Sequence, residues 1–218
     1  MRLRKIIVVR QIIEVLVLGV AFFGSGMAQP AQDILEKMKQ KYDTIKDAEL
    51  KFTQRTKFEM SGNEQSVSGT LLIKKGNKYR VELENSTVVT DGVTVWSYSV
   101  PNKQVVIDKF KLEEKALTPL RIITAAPKDY YATVLKAEKI GKTETQLLKL
   151  VPKDSESMIR TMKIWIDEST WLMKKVEIVD VNGNETVYTV LSVNVNPGLA
   201  DSRFAYQIPK GVEAVDLR

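Results

Sequence analysis

The chain has 218 residues, a formal net charge of +6, and neither histidine nor cysteine. That composition excludes disulfides and thiolate metal sites, and it removes the commonest nucleophile–base pairs and metal ligands. The basic excess is mild and scattered, with no basic stripe interleaved with aromatics, so nucleic acid is not an expected partner.

The first element read from the N-terminus is a leader. Arg2, Arg4 and Lys5 precede the uncharged apolar run VLVLGVAFFGSG at 15–26, and Gly26-Met27-Ala28 offers the small residues of a cleavage site. The apolar run is shorter than the roughly 20 residues a membrane-spanning helix needs. Residues 1–28 are therefore expected to be a cleaved signal peptide, and 29–218 a single domain. An exported domain without disulfides fits a bacterial periplasm. No cysteine follows the run to accept a lipid, so the product is expected to be soluble.

Ala31 to Lys46 places Ile34, Leu35, Met38, Tyr42 and Ile45 at helical spacing, which predicts one amphipathic helix. From Ala48 the period becomes two. Ala48, Leu50, Phe52, Phe58 and Met60 share one face of a long strand, and Glu49, Lys51, Arg55, Lys57 and Glu59 take the other. The alternation recurs at Val67, Leu71 and Ile73; at Tyr79, Val81 and Leu83; and at Val105 and Ile107. It returns at Leu148 and Leu150; at Met162, Ile164 and Ile166; at Leu172, Val176 and Ile178; and from Val187 to Val195.

Lys75-Gly76-Asn77, Asp91-Gly92, Pro101-Asn102 and Asn182-Gly183 mark the turns. Asp91-Gly92 is expected to form a type I′ hairpin turn. One stretch, 110–126, breaks the rhythm with helix formers and Thr118-Pro119, predicting a helical insertion with Pro119 in a first turn. A further short helical turn is expected near 196–202. About ten antiparallel strands, a starting helix and an insertion make an α+β domain, with a curved or barrel-like sheet as the natural closure.

Little in the chain suggests catalysis. Asp91, Asp108, Asp167 and Asp180 fall at turns or strand ends, where a turn-capping aspartate is the ordinary explanation. Phosphate-cradling glycine loops, nucleophile elbows and calcium loops are absent from the sequence. No enzyme, metal or cofactor is expected.

Several stretches taken together resemble the LolA family of periplasmic outer-membrane lipoprotein carriers. They are the opening helix followed by FTQ at 52–54, GTLLIKKGNKYRVE at 69–82, TDGVTVWSY at 90–98, the TPL beginning at Thr118, and FAYQIPKGVEAVD at 204–216. The resemblance implies an incomplete, strongly curved antiparallel β-barrel with a lid of short helices. It implies a chaperone that holds lipoprotein acyl chains between barrel and lid. Cargo would come from an inner-membrane lipoprotein-releasing ABC transporter and pass to an outer-membrane acceptor, with the carrier a monomer. The alternative is a general periplasmic lipid-binding or lipid-sensing module on the same half-barrel.

On that reading the candidate cavity walls are Phe52, Leu71, Ile73, Tyr79, Val81, Leu83, Trp96 and Tyr98. The candidate lid is Leu35, Met38 and Tyr42 with Leu120, Ile122 and Ile123. The alternation leaves open whether Trp96 and Tyr98 line the cavity or sit in ordinary core. Family members often carry Arg-Pro after the GxLxxK strand, with the arginine tying the lid by hydrogen bonds to its backbone. Here Lys75 and Gly76 stand at those positions, so Lys75 is the candidate latch, with Arg55 and Arg80 as substitutes.

Overall fold

The computed structural model of the chain describes residues 28–111, 126 and 128–218. The expected leader, up to Met27, lies outside the described residues. So does most of the expected insertion, including Pro119, Leu120, Ile122 and Ile123.

Helix α1 (Ala28–Asp43) forms where Ala31, Leu35 and Met38 recur on one face, and all three are fully buried. It ends before Lys46, the end that the apolar spacing suggests. Thr44 donates its hydroxyl to the Lys41 carbonyl at 2.7 Å, and the Ile45 N–H turns back to the Tyr42 carbonyl at 3.0 Å. This tightened turn frees Ile45 to point into a small cluster with Ala48 and Leu172.

Thirteen strands follow among the described residues. They are β1 (Asp47–Lys57), β2 (Glu64–Lys74), β3 (Lys78–Leu83), β4 (Ser86–Thr90), β5 (Thr94–Ser99), β6 (Gln104–Lys109) and β7 (Tyr130–Val134). Next come β8 (Glu138–Ile140), β9 (Thr143–Pro152), β10 (Ile159–Asp167), β11 (Met173–Asp180), β12 (Glu185–Val195) and β13 (Glu213–Asp216). They make one sheet in the order β13-β6-β5-β4-β3-β2-β1-β12-β11-β10-β9-β7, with β8 also on β9. The ends β13 and β7 do not pair with each other, so the curved sheet is an incomplete barrel, as the sequence suggested. All pairings are antiparallel except β13, which runs parallel to β6. The strands β7, β8 and β13 add to the ten or so that alternation predicts.

One turn differs from expectation. The β4–β5 connection has three residues, and only Gly92 takes a positive φ, at 95°, so the turn is not type I′. Asp91 instead accepts the N–H groups of Val93 and Thr94, both at 2.8 Å, closing the loop from its side chain. An added Cβ at Gly92 would collide with the Gly76 carbonyl, so this turn packs directly on the β2–β3 turn. At the other hairpin, Asp180 accepts from the N–H groups of Asn182 and Asn184.

The sheet has two distinct faces. The inner face carries α1: Leu35 and Met38 pack with Leu148, Leu150, Met162, Ile164, Ile166, Val176 and Ile178 of β9 to β11. The outer face is crossed by the chain after β12. Leu199 and Phe204 pack on Leu72, one 3₁₀ turn spans Asp201–Phe204, and the Tyr206 ring lies 6.2 Å from that of Tyr98.

Two lysines pin this arm. Lys74 donates to the Leu199 carbonyl at 2.6 Å, and Lys74 and Lys78 reach the Asp201 carboxylate at 2.7 and 2.8 Å. The hydrogen bonds from Lys74 and Lys78 hold the Asp201 carboxyl down at about 2. A depressed carboxyl contributes its stabilisation above its ordinary pKa and loses it as pH falls through the folded value. The arm is thus fully pinned at neutral pH and is expected to loosen between about pH 4 and 2. Hydrogen exchange at 199–206 checks this. Asp201→Asn should show at pH 7 the faster exchange that the parent shows only in acid, and a parent whose exchange protection is flat to pH 2 contradicts it.

Candidate functional site

Strand pairing carries the identity of the inner face across the sheet, because directly paired residues share a face. Ala48, Ile73 and Val195 are paired across β12, β1 and β2 and pack near Tyr42 of α1, which fixes them on the inner face. Tyr188, packed on the α1 cluster, pairs with Gln54 and so places Phe52 on the same face.

From that anchor the register builds a row seven strands wide. Val193, Leu50, Leu71, Val81, Val88, Ser97 and Val106 stand side by side on β12, β1, β2, β3, β4, β5 and β6. At about 4.8 Å per strand the row is roughly 29 Å across. Six of its seven members are apolar, yet only Leu71 is fully in the core and the rest keep contact with solvent. Flanking it on one side are Ile73 and Tyr79 with Thr90 and Val95, and on the other Val190, Phe52 and Leu83. Val67, one position further along the same face of β2, is 40% exposed. The inner face is thus divided. Its β7 to β11 half is sealed by α1, and its β12 to β6 half presents an apolar surface that the described residues leave incompletely covered.

Gly69 sits within this surface, paired with Phe52 on one side and Leu83 on the other. A Cβ there would lie 2.6 Å from Leu83 Cδ2, 2.8 Å from the Glu82 carbonyl oxygen and 2.9 Å from Phe52 Cζ. Its missing side chain lets the phenyl ring and the leucine close over the strand from both sides.

The structure sorts the sequence-derived residues. Phe52, Leu71, Ile73, Tyr79, Val81 and Leu83 come together on the inner face. Trp96 and Tyr98 do not join them. They pair with Val89 and Thr87 and with Ile107 and Val105 on the outer face, where Tyr206 of the C-terminal arm covers Tyr98. The inner face of β5 is Val95, Ser97 and Ser99 instead.

Leu35 and Met38 are fully buried in the main core rather than spread over the apolar row. Tyr42 lies at the boundary of the two halves, its hydroxyl accepting the Met173 N–H at 3.1 Å. Burial pushes this phenol up to about 12, with the Met173 hydrogen bond opposing the shift.

The three latch candidates separate too. Lys75 donates its ammonium to the Asp43 carbonyl at 3.1 Å, at the last residue of α1. A cation on that carbonyl also meets the negative end of the helix dipole. Arg55 pairs with Val187 and Ser66, and Arg80 with Leu72 and Val89, so both stand on the outer face. Arg80 is held by Glu82 at 2.6 Å and Arg55 approaches Glu64 at 3.7 Å, so neither reaches α1. Sequence reading missed Val88, Val106, Val190 and Val193 as members of the surface. Leu50 was legible, since it alternates in phase with Phe52.

The chemistry available on this surface is apolar contact. Among the described residues no group of three or more acidic side chains is placed to hold a metal ion. Asp108, the inner-face carboxylate of β6, stands at the end of a flanking row beside Val95.

Comparison with known proteins gives a consistent family. The chain is 27% identical over 189 residues to an outer-membrane lipoprotein carrier protein of Pasteurella multocida, covering 85% of this chain and 88% of that one. It is 24% identical over 205 residues to the protein of the same name from Glaesserella parasuis, covering 92% and 94%. Among solved structures, an uncharacterized conserved protein from Thermus thermophilus shares the fold with a TM-score of 0.58 at 14% identity, covering 86% of this chain and 99% of that one. The family described as outer membrane lipoprotein carrier protein LolA matches residues 43–207, a span that runs from the end of α1 across the sheet and into the C-terminal arm. The chain belongs to that family.

Proposed function

We propose that this protein is a periplasmic carrier that shelters the acyl chains of lipoproteins on the inner face of β12 to β6 and takes them from the inner to the outer membrane. The observation that carries the reading is the seven-strand apolar row, left incompletely covered on one face of an open sheet. An acyl chain of about sixteen carbons gains on the order of 12 kcal/mol by leaving water, at ~0.8 per CH₂. A concave apolar surface beside a fixed helix supplies that shelter. Membership in a family whose named members are lipoprotein carriers supports the cargo class.

The carrier must also release its cargo, so covering the row and filling it have to compete within a few kcal/mol. In this reading α1 is the fixed wall, since Leu35 and Met38 are committed to the core. Leu120, Ile122 and Ile123, which lie outside the described residues, are proposed as the rest of the cover. Lys75 holds the end of the wall nearest the row through the Asp43 carbonyl. Donation comes from an inner-membrane lipoprotein-releasing ABC transporter and handover goes to an outer-membrane acceptor, the carrier acting as a monomer.

Native mass spectrometry of the protein purified from periplasm tests the function. A lipidated polypeptide bound one to one is the expected result. Phospholipid or free fatty acid in its place would move the assignment to general lipid binding.

Lys75 has its own test. Lys75→Met removes one exposed charge-assisted contact at a helix end, worth about 0.5 kcal/mol. Release of a fluorescent acyl probe should then be about twofold faster, with Lys75→Arg at or below the parent rate. Identical rates in all three proteins would remove Lys75 from the latch.

A further inference from the structure

The outer face holds a second recess, on the other side of the sheet from the apolar row. It is an open trough of about 590 Å³ spanning β2, β1, β12, β11 and β10, with β8 forming its far lip. Four inter-strand steps from β2 to β10 make it roughly 19 Å long, the length of about six extended residues.

Its lining is polar and unequal in charge. Arg55, Lys139 and Lys175 contribute three cations, and Glu138 is the one carboxylate among the lining residues. Glu138 is occupied, accepting the Trp165 indole N–H at 2.8 Å. Glu177, in the same cross-strand row as the lining residues Val187, Arg55 and Ser66, is held by Lys163 at 2.7 Å. The carboxylates that face the other cations are weak competitors. Glu64 stands 3.7 Å from Arg55, and the Lys139–Glu144 pair is mostly in solvent, where such pairs are worth little. Hydroxyls of Thr53, Ser68 and Thr189 line the floor between the cations.

The same geometry rejects other anions. Trp165 is 3% exposed, and the Lys175 ammonium sits 4.0 Å over its ring, so there is no free aromatic face for a base or a sugar to stack on. A recess running across five strands gives a flat lipid surface little to touch. An extended chain with carboxylates at intervals matches its length, its cations and its hydroxyl donors. We propose that this trough is a docking site for an extended acidic peptide segment of a partner protein. It is separate from the acyl surface and does not depend on it.

The probe is a fluorescein-labelled hexapeptide of alternating aspartate, glutamate and serine, titrated by anisotropy into the full-length mature protein at two salt concentrations. The parent should bind in a salt-dependent manner. Arg55→Glu and Lys175→Glu should each weaken binding about tenfold or more while thermal unfolding stays near the parent's. Lys57→Glu makes the same charge change on the same face of β1 but beyond the trough, and should leave binding within about twofold. Inorganic phosphate and phosphatidylglycerol vesicles serve as competing anions. A parent that does not bind the peptide overturns the proposal. So does equal loss in Lys57→Glu, or a preference for phosphate or vesicles over the peptide that the two trough variants abolish.

Discussion

Val81→Glu is expected to abolish acyl-chain binding while the protein still folds. Val81 stands at the centre of the apolar row, paired with Leu71 on one side and Val88 on the other, and is only partly buried. In the empty protein a glutamate there keeps much of its water, so stability should fall by only about 1–2 kcal/mol. A bound hydrocarbon chain would strip that water from an unpaired carboxylate, at a cost of several kcal/mol. Even ~3 kcal/mol corresponds to more than a hundredfold loss of affinity. The control is next door: Arg80→Gln changes the adjacent residue on the opposite face and should leave binding unaltered. Displacement of an apolar fluorescent probe by a fatty acid measures both. If Val81→Glu binds like the parent, or Arg80→Gln loses as much, the inner face of β3 is not the acyl surface.

That pairing of variants also shows what the sequence could and could not say. Alternation fixes which residues of a strand share a face, and it correctly grouped Tyr79 with Val81 and Leu83. It also held the evidence against two latch candidates, because Arg55 alternates out of phase with Phe52, and Arg80 with Tyr79. Giving both arginines a role at the lid ignored that parity. For Trp96 and Tyr98 parity decides nothing. A strand with aromatics on one side and valines and serines on the other reads equally well either way.

The answer for those two aromatics came from four successive registers, from β1 through β5, and from an arm with little periodicity of its own. Leu199, Phe204 and Tyr206 cover the outer face from a stretch whose spacing matches neither a helix nor a strand, so no local pattern signals that this side needs a core. The same long-range pairing explains why β13 escaped notice. Four residues docking parallel to β6 have no local signature, and their position depends on the path the arm takes. The helix was legible from its spacing, and it covers part of the open sheet as expected of a lid, but which part was not legible. Amphipathicity says that Leu35 and Met38 must be covered, and does not say by which strands.

Gly69→Ala should destabilise the protein more than its size suggests. Any Cβ at this position meets two side chains and one backbone oxygen, all at 2.9 Å or less. Leu83 and Phe52 can rotate away, but the Glu82 carbonyl is part of the β2–β3 ladder, so part of the strain falls on the strands themselves. Overpacking of this kind costs about 1–3 kcal/mol. A double-mutant cycle separates the two contributions. In a Phe52→Ala background the ring no longer blocks the methyl group, so the glycine substitution should cost less, with a coupling of about 0.5–1 kcal/mol. The remainder belongs to the backbone contact and should survive. Strict additivity would mean that the ring does not lean on the glycine, and that the Phe52–Leu83 approach over β2 is not what this position protects.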